Sequence, residues 1–288
     1  MILLIPVLLG YLSLASAAPA LESHPTSSQT VDLVRRDLYT GLWNESGPDV
    51  RDIKQVTVLD CWNDASTLAV LISSKDWIEH LFHYGNGAPM YNVSWPQDVQ
   101  VQVTLWNPSN LTSGPTTQLA TVYNKSRTED HPDGNWWHDA ISQAILSLGS
   151  NQSPPIEGIL ANGTFDPLNG SSKIGLEMLT GYEAVGSLRS NYTDTEAFYN
   201  DLAKANTGTP VVFNTLSQDD IVPSTPMMGY DHDYAVYNVT DLGNGTRMVW
   251  TRNSWGSTDG FDFKVVWQNT YQIIHLKDWN VLEWPGHQ

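Results

Sequence analysis

One cysteine in 288 residues, Cys61, is the strongest constraint on this chain: no intramolecular disulfide is available, so the fold has to rest on a buried apolar core. The thiol is therefore free, paired with another molecule, or chemically employed. Its surroundings are those of an exported chain. Residues Ile2–Leu14 are largely apolar and lead into Ala15-Ser16-Ala17, a small-x-small cleavage pattern, and the run is too short for a spanning helix. Residues 1–17 are read as a signal peptide and 18–36 as a polar leader or pro-segment. The leader ends at Arg35-Arg36, which is either a processing site or part of a solvated tail.

Ten Asn-x-Ser/Thr acceptors follow, at Asn44, Asn92, Asn110, Asn124, Asn151, Asn162, Asn169, Asn191, Asn238 and Asn244. Together with the leader they predict a secreted, extracellular glycoprotein. Fourteen Lys and Arg stand against 31 Asp and Glu, a formal charge of −17, which excludes nucleic acid and anionic membranes as partners. Residues 37–288 are long enough to bury a core without disulfides, and no later apolar run reaches membrane-spanning length.

In "DCWNDASTLAVLISS", Ala65, Leu68, Ala69 and Ile72 recur at helical spacing with Asp60 at the N-cap position, so Cys61 is expected to open a buried helix. Alternation at Val99, Val101 and Val103 predicts a strand, and "NWWHDAISQAILSLG" an amphipathic helix closed by Gly149. Between Asn151 and Gly181 the chain is rich in Gly, Asn and Ser. Beyond it, "TEAFYNDLAKANTGT" reads as a helix stopped by Gly208, and "PVVFN", "DYAVYNV", "RMVWTRN" and "FDFKVVWQ" as β-rich runs. The expected class is α+β: a helical lobe over 37–180 carrying Cys61, and a β-rich lobe over 181–288.

A cysteine at a helix N-terminus faces unpaired N–H groups and the positive end of the helix dipole, which favour thiolate. Such a nucleophile needs a base. His24, His131, His138, His275 and His287 read as structural or solvated, and His80 and His83 lack the further ligands a metal would need. His232 differs, because a turn at Asn244-Gly245 lies near the midpoint between it and Asn253. A hairpin there makes the two cross-strand neighbours, and a carboxamide can accept the imidazole N–H and hold the ring. Gln55, six residues before Cys61, can supply an oxyanion donor beside the Cys61 N–H. Asp231 and Asp233 flank the histidine and are expected to keep it cationic, placing an activity optimum at roughly pH 5 to 6.5.

These residues resemble the calpain family of papain-like cysteine proteases. "QVTVLDCW" is similar to the calpain nucleophile stretch, "HDYAV" to His-Ala-Tyr-Ser-Val, and "RNSWG" to Arg-Asn-Pro-Trp-Gly, with the serine as in papain. "NWWHDAISQAILSL", "GLEMLTGYEA" and "AFYNDLAKANTGTPVVFN" resemble the segments between these motifs, so the likeness runs from about Ile53 to Tyr271. It departs from the family at Val56 and Leu59, where calpains carry Gly, and at Asp233, where they carry Ala. The resemblance implies a two-lobed papain-like fold and a monomeric endopeptidase acting on proteins or peptides, with Cys61 as nucleophile, His232 as base and acid, Asn253 orienting it, and Gln55 in the oxyanion hole. It also implies that Trp255 covers the His–Asn bond, while Trp62 packs. No cofactor is expected; calcium comes with the family, but no ligand set for it is matched here. A papain-fold protein without turnover, acting as a binding module or effector, and a transglutaminase-like acyltransferase both remain open, although Asn253 favours the protease.

Overall fold

The computed structural model describes residues 41–55, 60–122, 135–150 and 171–284. The signal peptide, the leader with Arg35-Arg36, Val56, Leu59, His24, His131, His287 and the sequons at Asn124, Asn151, Asn162 and Asn169 lie outside the described residues. Asp37–Gln288 form one compact unit.

Helix α1, Cys61–Ser73, is buried on every side, with Trp62 through Leu71 all inaccessible. That burial forces its polar side chains to find partners inside the protein. Asn63 Nδ2 donates to Ser142 Oγ at 3.0 Å, and Ser66 Oγ donates to the Trp62 and Ser172 carbonyls at 2.6 and 3.1 Å. Asp60 stands at the N-cap position, yet its side chain makes no capping bond. A short helix α2, Lys75–His80, follows and is capped by Ser74. Strands β1 (Phe82–Tyr84), β2 (Gln100–Trp106) and β3 (Pro115–Thr121) then form a three-stranded antiparallel sheet, in which the alternation at Val101 and Val103 places both inward. Helix α3 runs Trp137–Ser150, one residue past the expected stop at Gly149.

Helix α4, Ser172–Thr180, lies at the end of the stretch rich in Gly, Asn and Ser, and Gly181 closes it with φ 72°. It packs directly on α1 at Gly175. A Cβ there would stand 2.7 Å from Ser66 Cβ, closer than packed carbons approach, so glycine lets the two helices meet. Gly175→Ala is therefore expected to destabilise the protein by about 1–3 kcal/mol, seen as a drop of several degrees in Tm by thermal melting. An unchanged Tm would mean that the helices can part without cost.

After β4 (Ala184–Leu188) come helix α5 (Thr195–Leu202), with a 3-10 turn ending at Gly208, and strands β5 (Val211–Thr215), β6 (Asp233–Asp241), β7 (Arg247–Asn253) and β8 (Thr258–Asp262). Helix α6, Phe263–Asn269, and strand β9, Thr270–Leu276, complete the described chain's regular elements. "FDFKVVWQ" is thus not one β run. The strand ends at Asp262, whose side chain accepts from Lys264 N and starts a helix that buries Phe263, Val266 and Asn269. The six strands β4–β9 form a second antiparallel sheet in the order β4-β9-β5-β6-β7-β8. Helices and antiparallel sheets segregated in this way make the class α+β.

Alternate residues of the central strands feed two apolar clusters. Val212, Ala235, Ile274 and Leu276 join α1, α3, α4 and the small sheet, whereas Val211, Phe213, Tyr234, Val236 and Ile273 face α5 and α6. Strands buried on both faces explain why the runs read as continuously apolar.

Candidate active site

The N-terminus of α1 and the start of β6 meet at a cleft of about 560 Å³, lined among others by Gln55, Cys61, Trp62, His232, Asp233 and Trp255. Cys61 is half-buried as the first residue of its helix. His232 is held by its backbone, whose N–H donates to Thr215 Oγ1 at 3.0 Å and whose carbonyl accepts the Thr215 N–H at 2.9 Å. Its Nε2 lies 2.9 Å from Asn253 Oδ1. The Trp255 N–H donates to the same oxygen at 3.0 Å, which identifies that atom as the carboxamide carbonyl and puts the imidazole proton on Nε2. Nδ1 is left as the basic nitrogen. The carboxamide is fixed from its other end by Nδ2 donating to Asp259 at 3.3 Å.

Trp255 lies flat on the imidazole, ring centroids 4.2 Å apart, and Tyr234 meets it edge-on at 4.9 Å. The indole is half exposed and takes the solvent that would otherwise reach the His–Asn bond. Gln55 is anchored by its N–H to the Ser254 carbonyl at 2.6 Å, by Ser254 Oγ donating to Oε1 at 3.2 Å, and by Nε2 donating to Asp60 at 3.3 Å. Trp62 is buried against α4. The structure thus brings Gln55, Cys61, Trp62, His232, Asn253 and Trp255 to one place, from three stretches of chain.

Three expectations change. The hairpin register sets Tyr234, not His232, opposite Asn253, because Asp241 pairs with Arg247 and centres the turn on Asn244, beyond the midpoint between His232 and Asn253; a bulge between Val236 and Asn238, with Tyr237 as the extra residue, makes up one residue of the difference. The histidine reaches the carboxamide diagonally, from one residue before the strand. Second, Asp233 does not hold His232 cationic: strand alternation turns its carboxylate toward α4 and β5, where Ser172 Oγ and Asn214 Nδ2 both donate to it. Burial pulls the His232 pKa below its ordinary value, against the opposing effect of Asn253. Third, the helix terminus does not leave Cys61 a ready thiolate. Burial first, then the negative charge of Asp233, push the thiol up to about 12, with Asp64 and Asp60 adding to the shift.

Asp233 is the functional neighbour that sequence reasoning placed wrongly, and Ser172, Asn214 and Asp259 are those it missed. Gln272 extends the line, its Nε2 donating to Asn214 Oδ1 at 2.7 Å. The signal available was the position of Asp233 as first strand residue after the histidine, which by period two faces away from it.

Three other described histidines lie in packed surroundings away from the cleft. His80 is stacked between Tyr91 and Trp284, His275 lies on Trp279, and His138 is buried 3.3 Å from Asp64. Among the described residues no cluster of three or more His, Cys, Asp or Glu side chains is arranged to hold a metal ion. No described helix is long and apolar enough to cross a membrane. Compared with known proteins, the chain matches no family model and no curated protein.

Proposed function

We propose that this chain is a secreted cysteine endopeptidase with a calpain-like, papain-type two-lobed core. The observation that carries the reading is the 2.9 Å bond from His232 Nε2 to Asn253 Oδ1 beneath Trp255, in the cleft that also holds Cys61 and Gln55. A raised thiol pKa and a lowered imidazole pKa describe a pair that rests neutral at pH 7. The base therefore acts during attack. Nδ1 of His232 takes the thiol proton as sulfur bonds to the peptide carbonyl carbon, and the oxygen becomes an anion held by Gln55 Nε2 and the Cys61 N–H. Collapse expels the amine, which receives the proton from His232, and leaves a thioester. Water, deprotonated by the same nitrogen, attacks the thioester and releases the carboxylate and the free thiol.

A quenched-fluorescent peptide library, with an epoxysuccinyl thiol inhibitor and a primary amine as competing acceptor, tests the reading. Cleavage blocked by the inhibitor supports it. Folded protein that labels but never cleaves identifies a binding or effector protein, and preferential transfer to the amine identifies an acyltransferase. Gln55→Ala is expected to lower kcat by about 10²-fold with KM little changed, since its N–H serves the oxyanion and not the ground state. An unaltered kcat removes Gln55 from the oxyanion hole.

The leader and the sequons support secretion. All six described acceptors, Asn44, Asn92, Asn110, Asn191, Asn238 and Asn244, reach the surface. Enzymatic deglycosylation of protein from the culture medium should sharpen and lower its gel band.

A further inference from the structure

Resting on the reading of Cys61 as the nucleophile, we infer that the buried carboxyl of Asp233 is a positioning residue that governs the charge state of the thiol, so that an acidic medium releases the nucleophile. Asp233 opens β6 immediately after His232 and is itself about 95 % inaccessible, yet it lines the cleft beside Cys61. Its backbone N–H is within hydrogen-bonding reach of the sulfur, and its side chain is a principal source of negative charge on the thiol. The donors it holds, Ser172 Oγ and Asn214 Nδ2, are neutral. Among the described residues no Lys or Arg forms an ion pair with it. A carboxylate of this kind has no cation to compensate it, and its charge falls on the Cys61 sulfur as repulsion of the thiolate.

The proton count gives the direction. At neutral pH the resting set is thiol, imidazole and carboxylate. One added proton allows thiolate, imidazolium and neutral carboxyl, in which the thiolate is the sole counter-ion of the ring. Burial lifts Asp233 to about 6, so the carboxyl is neutral below that pH and anionic above it. Repulsion of the thiolate is thus removed as pH falls through about 6, and returns as it rises.

Other charged groups face the same sulfur. Asp60 and Asp64 act on it from α1 and the segment before it, Tyr234 from β6, and His232 from the cleft, while Asp139 on α3 acts on Asp60. Asp60 is also raised to about 6 by burial, so the wild-type profile alone does not separate the two carboxyls. The substitution at Asp233 does. In Asp233→Asn the new side chain keeps both contacts, accepting from Asn214 and donating to Ser172, whose hydroxyl still reaches the Trp62 carbonyl at 3.2 Å.

Iodoacetamide is the probe, because one cysteine makes labelling unambiguous and alkylation requires no turnover. Rates of Cys61 carbamidomethylation are measured by mass spectrometry between about pH 4.5 and 8, beside the reference thiol range near 8.5. Wild-type protein is expected to show an acid-side component that declines above about pH 6. Asp233→Asn should extend that component through neutrality, with a rate at pH 7 raised about tenfold, the effect of one unit in thiol pKa. Asp233→Ala carries the same test should the asparagine variant not fold. Superimposable rate profiles for wild type and variant overturn the inference, as does an acid component that persists unchanged in the variant and so belongs to Asp60. The predicted shift in a protein that cleaves no peptide supports the inference and overturns the endopeptidase reading.

Discussion

Cys61→Ala is expected to fold as the parent does and to lose peptide hydrolysis by a factor of about 10⁴ or more. The sulfur is the atom that bonds to the substrate carbonyl, and among the described residues no other thiol shares the cleft. Removing it costs the fold little. Alanine is the best helix former at the first position of α1, and the lost sulfur contacts amount to on the order of 1 kcal/mol. The substitution also removes a thiol that burial first, and then the charges of Asp233, Asp64 and Asp60, keep in its protonated form. Circular dichroism should therefore superimpose on the parent and Tm should change by only a few degrees, while cleavage of a fluorogenic peptide falls to background. Hydrolysis persisting in the variant would sink the thiol mechanism. Loss of activity together with loss of the folded spectrum would instead show that Cys61 is structural.

The parts of the site legible in the sequence are those that local pattern decides. The start of α1 at Cys61 follows from the spacing of Ala65, Leu68 and Ala69, and the nearness of His232 and Asn253 follows from the position of a turn between two strands. What stayed hidden depends on contacts distant in sequence. The direction of the Asp233 carboxyl is set by Ser172 and Asn214, 61 and 19 residues away. The bulge at Tyr237 moves the register by one residue, and no composition rule announces it. The valines of α6 look like a strand because β-branched pairs usually make one; a cap at Asp262 and a place for Phe263 and Val266 in the second cluster override that preference. The thiol was misjudged for the same reason. A helix terminus is visible in a sequence, whereas burial and the charges that gather around a residue appear only when the chain is folded.

His232→Ala should come next in severity, with Asn253→Ala well behind it, and the gap between them measures how their roles divide. Losing the imidazole removes the only nitrogen proposed to accept the thiol proton and return it to the leaving amine, and a thiol lifted to about 12 has little means of ionising without it. The expected fall in kcat is about 10³- to 10⁴-fold. Asn253→Ala leaves the base in place. The ring remains pinned by the backbone bonds to Thr215 and by the Trp255 indole 4.2 Å away, and Ser254 Oγ, 3.4 Å from Nε2, offers a substitute contact. What is lost is the 2.9 Å acceptor that selects the Nε2–H tautomer and, with it, the basicity of Nδ1. A fall of about 10- to 100-fold in kcat is expected, with the acid limb of kcat/KM moving to lower pH, because Asn253 is the contact that raises the histidine pKa against burial. A stopped assay of both variants across pH 4 to 8, on a neutral fluorogenic peptide, checks the order and the limb together. Equal losses in two well-folded variants would mean that the carboxamide is as indispensable as the ring, and an acid limb unmoved by Asn253→Ala would show that this limb is not the titration of His232.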